Sequence, residues 1–332
     1  MSDFPCYLPS LLDTEDKNCI LKNRIRKNYQ HLRKWAKRTH TDCFRIYDRD
    51  IKEYPVAIDF YAGRFCVQYF SYDREHDETP PSLQQATNQA LLSLFGVNKE
   101  AIYERTRIRR KKVEQYEKVA DEDDFFIVYE YGVKFKVNLL NYLDTGLFLD
   151  HRETRQRVAS LCQGKRLLNL FAYTCSFSVQ AAVAGACYTK SVDMSNTYTS
   201  WGRDNFTLNQ LPLQDHDIVR ADCLKFLDEA VQKKERYDVI VIDPPTLSRS
   251  KKMDQMFDIQ LDYISLLSKA LKLLSEGGKL VFSTNLRSFS FDVCAFPSYQ
   301  VQDITEKTLP LDFHNKKIHK CWILSKKSCP QV

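Results

Sequence analysis

The sequence predicts an α/β protein: a doubly wound, mostly parallel sheet with an antiparallel hairpin on its edge, preceded by a smaller α+β module. Three observations carry this. From about Arg166 onward short apolar runs alternate with helical stretches, the rhythm of a parallel sheet covered by helices on both faces. Before that point the pattern is hairpins around a helix. Finally, 332 residues at 43% hydrophobic, with 20 Phe and 18 Tyr, suffice for two domains and a large core, which excludes a disordered or fibrous chain.

Lys22–Arg38 holds eight Lys/Arg and no Asp or Glu, while Ile25, Tyr29, Leu32, Trp35 and Ala36 recur at three- and four-residue steps. This spacing predicts an amphipathic helix with one apolar stripe and a basic face. Such a face is ordinarily solvated surface, but the missing acids point to a polyanion, with Arg24, Lys27 and Lys34 as candidate phosphate contacts. Pro55–Tyr72 carries two apolar runs flanking Ala62-Gly63 and reads as a β-hairpin. Ser82–Phe95 has helical spacing and stops before Gly96, a C-cap. A strand over Ala101–Ile108 runs into Arg109-Arg110-Lys111-Lys112, and Arg107, Arg109 and Arg110 join the candidate phosphate contacts. A second hairpin, Phe126–Tyr131 and Lys134–Leu139, turns at Gly132.

The alternating half reads as Leu167–Phe171 then Phe177–Ala184, Lys190–Val192 then Thr199–Leu208, Asp217–Arg220 then Cys223–Ala230, Val239–Ile242 then Phe257–Leu274, and Lys279–Phe282. Val301–Thr308 and Lys320–Ser325 follow without a long helix between them and read as the antiparallel edge hairpin. The expected divisions are residues 1–50, 51–140 and 141–332.

Several classes of function are excluded. Nine glycines in 332 residues, against a usual ~7%, disfavour a glycine-rich phosphate loop. Eleven cysteines never fall as C-x-x-C, which argues against zinc ribbons and iron–sulfur sites, so no metal is expected. Met1 is followed by no basic-then-apolar leader, and no apolar run reaches the ~18 residues of a spanning helix, so no membrane association is expected. Unpaired thiols without an export signal read as cytoplasmic.

In open α/β sheets ligands sit beyond the carboxyl ends of the strands. After the first strand comes Ala172-Tyr173-Thr174-Cys175-Ser176 rather than G-x-G-x-x-G, which makes NAD and FAD poor candidates. Asp193 follows the second strand, 24 positions past Asn169, where a ribose diol is commonly gripped. Asp222 follows the third and Asp243-Pro244-Pro245-Thr246 the fourth. Carboxylates at three strand ends without a phosphate loop suit a ligand with a ribose, an adenine amine and a positive centre: S-adenosylmethionine. Asp193 would accept from the ribose hydroxyls and Asp222 from the adenine amine, while the Asp-Pro-Pro-Thr turn faces the methyl donor and its target. The alternative for any one acid is a plain helix cap.

The stretches NYLDTGLFLDHR (Asn141–Arg152), LLNLFAYT, VDMS, ADCL, IDPPT with FDIQ downstream, and IHKCW resemble the bacterial large-subunit rRNA guanine-N7 methyltransferases. In many bacteria that enzyme is the C-terminal half of a bifunctional 23S rRNA methyltransferase. NRIRKNYQHLRKWA and ERTRIRRKKVEQYEK resemble the same half, so the likeness covers nearly the whole chain. It implies a Rossmann-like class I methyltransferase fold with a seven-stranded sheet, and an RNA-binding role for residues 1–50 and 51–140. It further implies cofactor contacts at Asn169, Phe171, Tyr173, Thr174, Asp193, Asp222 and Asp243, with Phe148, Asp150 and Arg152 covering the cofactor. The implied partners are 23S rRNA and, where the fusion is split, a separate guanine-N2 methyltransferase half. Cys175 stands where such enzymes often carry Gly, a departure bearing on the backbone path of the cofactor loop.

The residues also narrow the chemistry. Cytosine C5 methylation needs a thiolate, yet Phe282-Ser283-Thr284-Asn285 offers none where relatives acting on cytosine carry it, and Cys223 is expected to pack. Amine methylation commonly uses an aromatic after Asp-Pro-Pro, and Thr246 stands there. Guanine N7 carries no proton, so positioning and electrostatics suffice. Arg287, Phe289 and Phe291 are candidates to stack on a freed base, and Arg249–Lys252, with Lys251, and Lys316–Lys320 to hold the RNA backbone.

Overall fold

A computed structural model describes residues 6–12, 19–70, 79–106, 124–142, 144–248 and 257–327. The chain divides into two units, Met1–Leu149 with Leu311–Asn315, and Asp150–Pro310 with Lys316–Val332.

In the first unit, α1 (Ile20–Arg38) lays the expected stripe of Ile25, Tyr29, Leu32, Trp35 and Ala36 into a core it shares with a four-stranded sheet. The strands are β1 (Cys43–Asp48), β2 (Val56–Tyr61), β3 (Arg64–Tyr69) and, after α2 (Pro81–Phe95), β4 (Ile102–Thr106). They lie in the order β1-β2-β3-β4, with only the β3–β4 pair parallel. Rings knit this core: Tyr29 and Phe65 each meet Phe95 with centroids 4.8 Å apart. Residues 1–50 and 51–140 thus fall in one unit, and its border lies at Leu149 rather than near 140. Gly96 takes the left-handed C-cap conformation (φ 62°) as expected.

Three details differ from expectation. Lys22 and Arg26 of the basic face are buried, which leaves Arg24, Lys27, Arg33, Lys34, Lys37 and Arg38 exposed on α1. Strand β1 was not foreseen, because it lacks an alternating pattern: five of its six residues are buried, and its central Arg45 is neutralised by Asp59 at 2.7 Å and Asp48 at 3.2 Å. The strand is also clasped by residues 311–315, where Asp312 accepts from the Arg45 N–H (2.9 Å) and Asp48 from the N–H groups of His314 and Asn315 (3.0 Å each).

The second hairpin, β5 (Phe125–Glu130) and β6 (Val133–Asn138), is joined to this unit through buried Asp42. Its Oδ1 accepts from Tyr129 N–H (2.6 Å) and its Oδ2 from Tyr7 N–H (3.1 Å). Burial pushes this carboxyl up from 3.8 to about 6, against the opposing pull of those donors. The folded chain therefore holds the proton longer than the unfolded one, and the stability contributed by Asp42 falls as pH rises from about 4 to about 6. Asp42→Asn should abolish that slope. It should also cost ~1–3 kcal/mol near neutrality, because an amide offers only one acceptor to two N–H groups. Urea denaturation at acidic and neutral pH measures both; an unchanged pH dependence contradicts the assignment.

The second unit runs α3 (Arg152–Ser160), β7 (Arg166–Leu170), α4 (Ser176–Val183), β8 (Tyr188–Asp193), α5 (Asn196–Leu208), β9 (His216–Arg220), α6 (Cys223–Gln232) and β10 (Tyr237–Ile242). It continues with β11 (Leu247–Ser248), β12 (Phe257–Asp258), α7 (Ile259–Leu271), β13 (Leu274–Thr284), β14 (Tyr299–Asp303), α8 (Thr305–Thr308) and β15 (Lys320–Lys326). The sheet order is β14-β15-β13-β10-β7-β8-β9, parallel from β13 to β9 and antiparallel at β15 and β14, as the sequence predicts. Its strands read as apolar runs because both faces are covered. Leu168, Leu170, Ile240 and Ile242 pack in one core with Leu227 of α6 and Leu266 of α7, while Leu167, Val239 and Val241 pack in another with Val158 of α3 and Ala181 of α4.

Expected boundaries shift, and in the following cases residues change from one type of element to the other. The helix expected from Phe257 starts at Ile259, since Phe257-Asp258 pairs with Leu247-Ser248 and Asp258 caps the helix. The strand expected over Val301–Thr308 ends at Asp303 and gives way to α8. Helix α3 was not foreseen: its RETRQRVAS sequence is mostly polar, although Arg152, Thr154 and Arg155 are buried. No helix among the described residues is long and apolar enough to cross a membrane.

Candidate active site at the carboxyl ends of the parallel strands

From β7 the chain passes outward to β8 and β9, then returns to β10 on the other side of β7. The topological switch therefore lies between the carboxyl ends of β7 and β10, where the loop 171–175 and the Asp243-Pro244-Pro245-Thr246 turn emerge.

The loop after β7 alternates in hand: Phe171 (φ 57°), Tyr173 (φ 50°) and Cys175 (φ 62°) are all left-handed. Each costs about 1 kcal/mol or more for a non-glycine residue, and such strain persists only where surroundings over-determine it. Here they do. Ala172 N–H donates to Val192 O (3.0 Å), Tyr173 N–H to Asp193 Oδ2 (2.9 Å), and the Asn205 amide to Thr174 O (3.0 Å). The side chain of Cys175 occupies room left by Gly202 of α5, where an added Cβ would lie 2.5 Å from the Cys175 Sγ. The backbone at 175 thus keeps the hand that glycine favours, and the missing glycine is matched by one on the neighbouring helix.

Asp193, at the end of β8, accepts from Tyr173 N–H and from Ser195 N–H (2.9 Å each), and burial raises its carboxyl. Asp222 caps α6 through Oδ1, which accepts from Leu224 N–H (2.8 Å) and Lys225 N–H (3.4 Å); its Oδ2 takes no part in that cap. Asp243, at the end of β10, accepts from Ser283 Oγ at 2.7 Å through Oδ1. Pro244 is buried, Pro245 half-buried, and the hydroxyl of Thr246 is tied to Asn285 Oδ1 at 2.5 Å. Asn169 is buried and faces α4, where its amide donates to Ser178 Oγ at 3.0 Å, so its side chain is committed to holding β7 against that helix. Thr174 and Arg152 are buried, Asp150 and Phe171 half-buried, and Phe148 exposed.

Two histidines join this set that sequence reading missed. His151 Nε2 lies 3.4 Å from Asp243 Oδ2, and its ring stacks on His319, with centroids 4.8 Å apart and planes at 17°. Burial, with His151 beside it, pushes His319 down to about 3. The carboxylate of Asp150 and the two imidazoles offer ligand atoms within 4.8 Å of one another. The only sequence signals were His151 inside LFLDHR and His319 inside IHKCW.

Cys223 packs as expected: buried, it donates to Val192 O and accepts from Phe171 N–H, and burial raises its thiol. Two stacking candidates are corrected. Phe289 is buried against Tyr263, Phe282 and Trp322 and offers no free face, and Phe291, half-buried, packs into the same ring cluster. Arg287 is exposed, while the Lys320 amine donates to Phe289 O at 2.6 Å. Arg107, Arg109, Arg110 and Lys251 lie outside the described residues.

Residues 99–305 match the model of the S-adenosylmethionine-dependent methyltransferases. The chain is 46% identical over 309 residues to ribosomal RNA large subunit methyltransferase K of Neisseria meningitidis, covering 92% of this chain and 87% of that protein. It is 44% identical over 308 residues to ribosomal RNA large subunit methyltransferase K/L of Aeromonas hydrophila, but spans only 42% of that longer relative. Among solved structures, SMU.776, crystallised in complex with SAH, superposes with a TM-score of 0.72 at 24% identity, over 94% of this chain and 83% of that one. Strand-end acids around a loop built without phosphate-binding glycines, together with these matches, establish that the chain belongs to the S-adenosylmethionine-dependent methyltransferase family and uses that cofactor.

Proposed function

We propose that the chain methylates N7 of a guanine in 23S rRNA. The observation that carries this reading is an Asp-Pro-Pro-Thr turn at the switch point with no thiol at the carboxyl end of β13: Ser283, Thr284 and Asn285 stand there, and the thiol of Cys223 is sealed in the core. S-adenosylmethionine supplies an electrophilic methyl on a sulfonium centre. Asp193 grips the ribose hydroxyls, Asp222 accepts from the adenine amine with the oxygen its cap leaves over, and Asp243 positions base and cofactor. The in-plane lone pair of N7 carries no proton, so the protein need only align donor and acceptor in a water-poor site. The related rRNA methyltransferases named above support the substrate class.

On this reading Phe148, Asp150 and Arg152 cover the cofactor, beside Phe171, Tyr173 and Thr174. The RNA backbone is held by Arg24, Lys27 and Lys34, with Arg107, Arg109, Arg110, Lys251 and Arg287, and the setting is the bacterial cytoplasm. A guanine-N2 methyltransferase half acts in a separate chain or a fused one. Replacing Arg24, Lys27 and Lys34 together by Ala should weaken RNA binding and reduce the slope of log affinity against log salt by about 2, at roughly 0.7 per phosphate contact on a single strand. An unchanged slope would make this face solvated surface.

The rival readings are transfer to cytosine C5 or a base amine, and a non-catalytic RNA-binding assembly factor. Mass mapping of 23S rRNA from cells with and without the gene tests the proposal. Loss of one 7-methylguanosine supports it, while loss of a methylcytosine or a methylated amine would replace it. A titration with S-adenosylmethionine that releases no heat would favour the assembly factor.

A further inference from the structure

The carboxylate of Asp243 has a polar side chain beside each of its oxygens. Ser283 on β13 donates to Oδ1 at 2.7 Å, and His151, just ahead of α3, brings Nε2 to 3.4 Å from Oδ2. His151 is itself confined. It is buried, one face of its ring stacks on His319, and Phe177 approaches edge-on with centroids 6.0 Å apart. His319 is anchored in turn. The Thr308 hydroxyl spends its proton on Thr305 O at 2.8 Å and so accepts from His319 Nε2 at 2.9 Å, which assigns the His319 proton to Nε2. An aspartate carboxyl turns broadly about its terminal torsion unless its oxygens are held, and the side chain of Asp243 is 24% exposed, with Ser283 and His151 the polar side chains beside its two oxygens.

We propose that His151 is a positioning residue of the methyl-transfer site: together with Ser283 it fixes the orientation of the Asp243 carboxylate, and His319 fixes His151. This rests on the reading above that Asp243 faces the transferring methyl and its target base. The imidazole needs only to present an N–H to the carboxylate, and it accepts no proton from the substrate.

Two measurements on the full chain test it. In spectra of protein labelled with 15N in its histidines, Asp243→Asn, which keeps the side chain's shape, should shift the ring resonances of His151 and leave those of exposed His31, His40 and His314 in place. Ser283→Ala should do the same to a smaller degree and serves if the first variant does not fold. In transfer assays, His151→Ala should lower kcat by about 10- to 100-fold, the scale of a misplaced reacting group, with cofactor Kd near that of the parent. His151→Gln, which restores an N–H, should recover most of the loss. Unmoved His151 resonances would overturn the clamp, as would a His151→Ala defect confined to stability or cofactor affinity. A His151→Gln variant as inactive as His151→Ala would overturn the positioning role and make the ring a proton acceptor. Shifted resonances in a protein that methylates no 23S rRNA would support the clamp and overturn the proposed substrate alone.

Discussion

Asp193→Ala is expected to raise the Kd for S-adenosylmethionine by about 100-fold. A carboxylate accepting from ribose hydroxyls makes charge-assisted hydrogen bonds worth roughly 1.5–3 kcal/mol each, and about 3 kcal/mol is about two decades of affinity. The effect extends beyond the ligand, because the same carboxylate receives the N–H groups of Tyr173 and Ser195 and so ties the loop after β7 to the start of α5. Asp193→Asn retains the shape and one acceptor and should fall between parent and alanine variant. Isothermal titration with the cofactor measures the loss, and RNA affinity in the same preparations should hold. Equal cofactor affinity in Asp193→Ala and parent would remove the ribose assignment.

Gly202→Ala should destabilise the protein by about 1–3 kcal/mol and weaken cofactor binding, a result opposite to the usual one. Glycine inside a helix normally costs about 1 kcal/mol relative to alanine, so the exchange would ordinarily stabilise α5. Here the new methyl would meet the Cys175 Sγ at 2.5 Å and the Cys175 Cβ at 3.2 Å, pressing on a loop already held left-handed. Relief must come from the cysteine. Cys175→Gly removes the obstacle and supplies the residue that φ 62° favours, so Gly202→Ala in that background should be neutral or stabilising. A double-mutant cycle by chemical denaturation measures the coupling. Additive effects would show that the two positions are not packing partners.

These cases show which parts of the molecule its sequence discloses. The parallel sheet is legible because burial on both faces makes Val239–Ile242 an unbroken apolar run and leaves Leu167–Leu170 apolar but for Asn169, and because a carboxylate closes three successive strands. Strand β1 and helix α3 are not, since both take charged residues into the interior: buried Asp48 with half-buried Arg45, which Asp59 also matches, and Arg152 and Arg155 in a segment whose composition reads as surface. Neutralisation in space leaves no mark in a local pattern. The same reason hid the contact of His151 with Asp243 and the fit of Cys175 against Gly202, which join positions far apart along the chain. Asn169 shows the converse. Its place at the end of the first parallel strand suggested a ligand contact, but the two-residue period turns its side chain toward Ser178 on α4.

The most direct test is transfer of a labelled methyl from S-adenosylmethionine to deproteinised 23S rRNA, followed by digestion to nucleosides and identification of the labelled one. Label recovered as 7-methylguanosine is the predicted result and joins cofactor, substrate and reacting atom in one measurement. Label on any other nucleoside would contradict the assignment of an active site that aligns a bare ring nitrogen with the methyl donor.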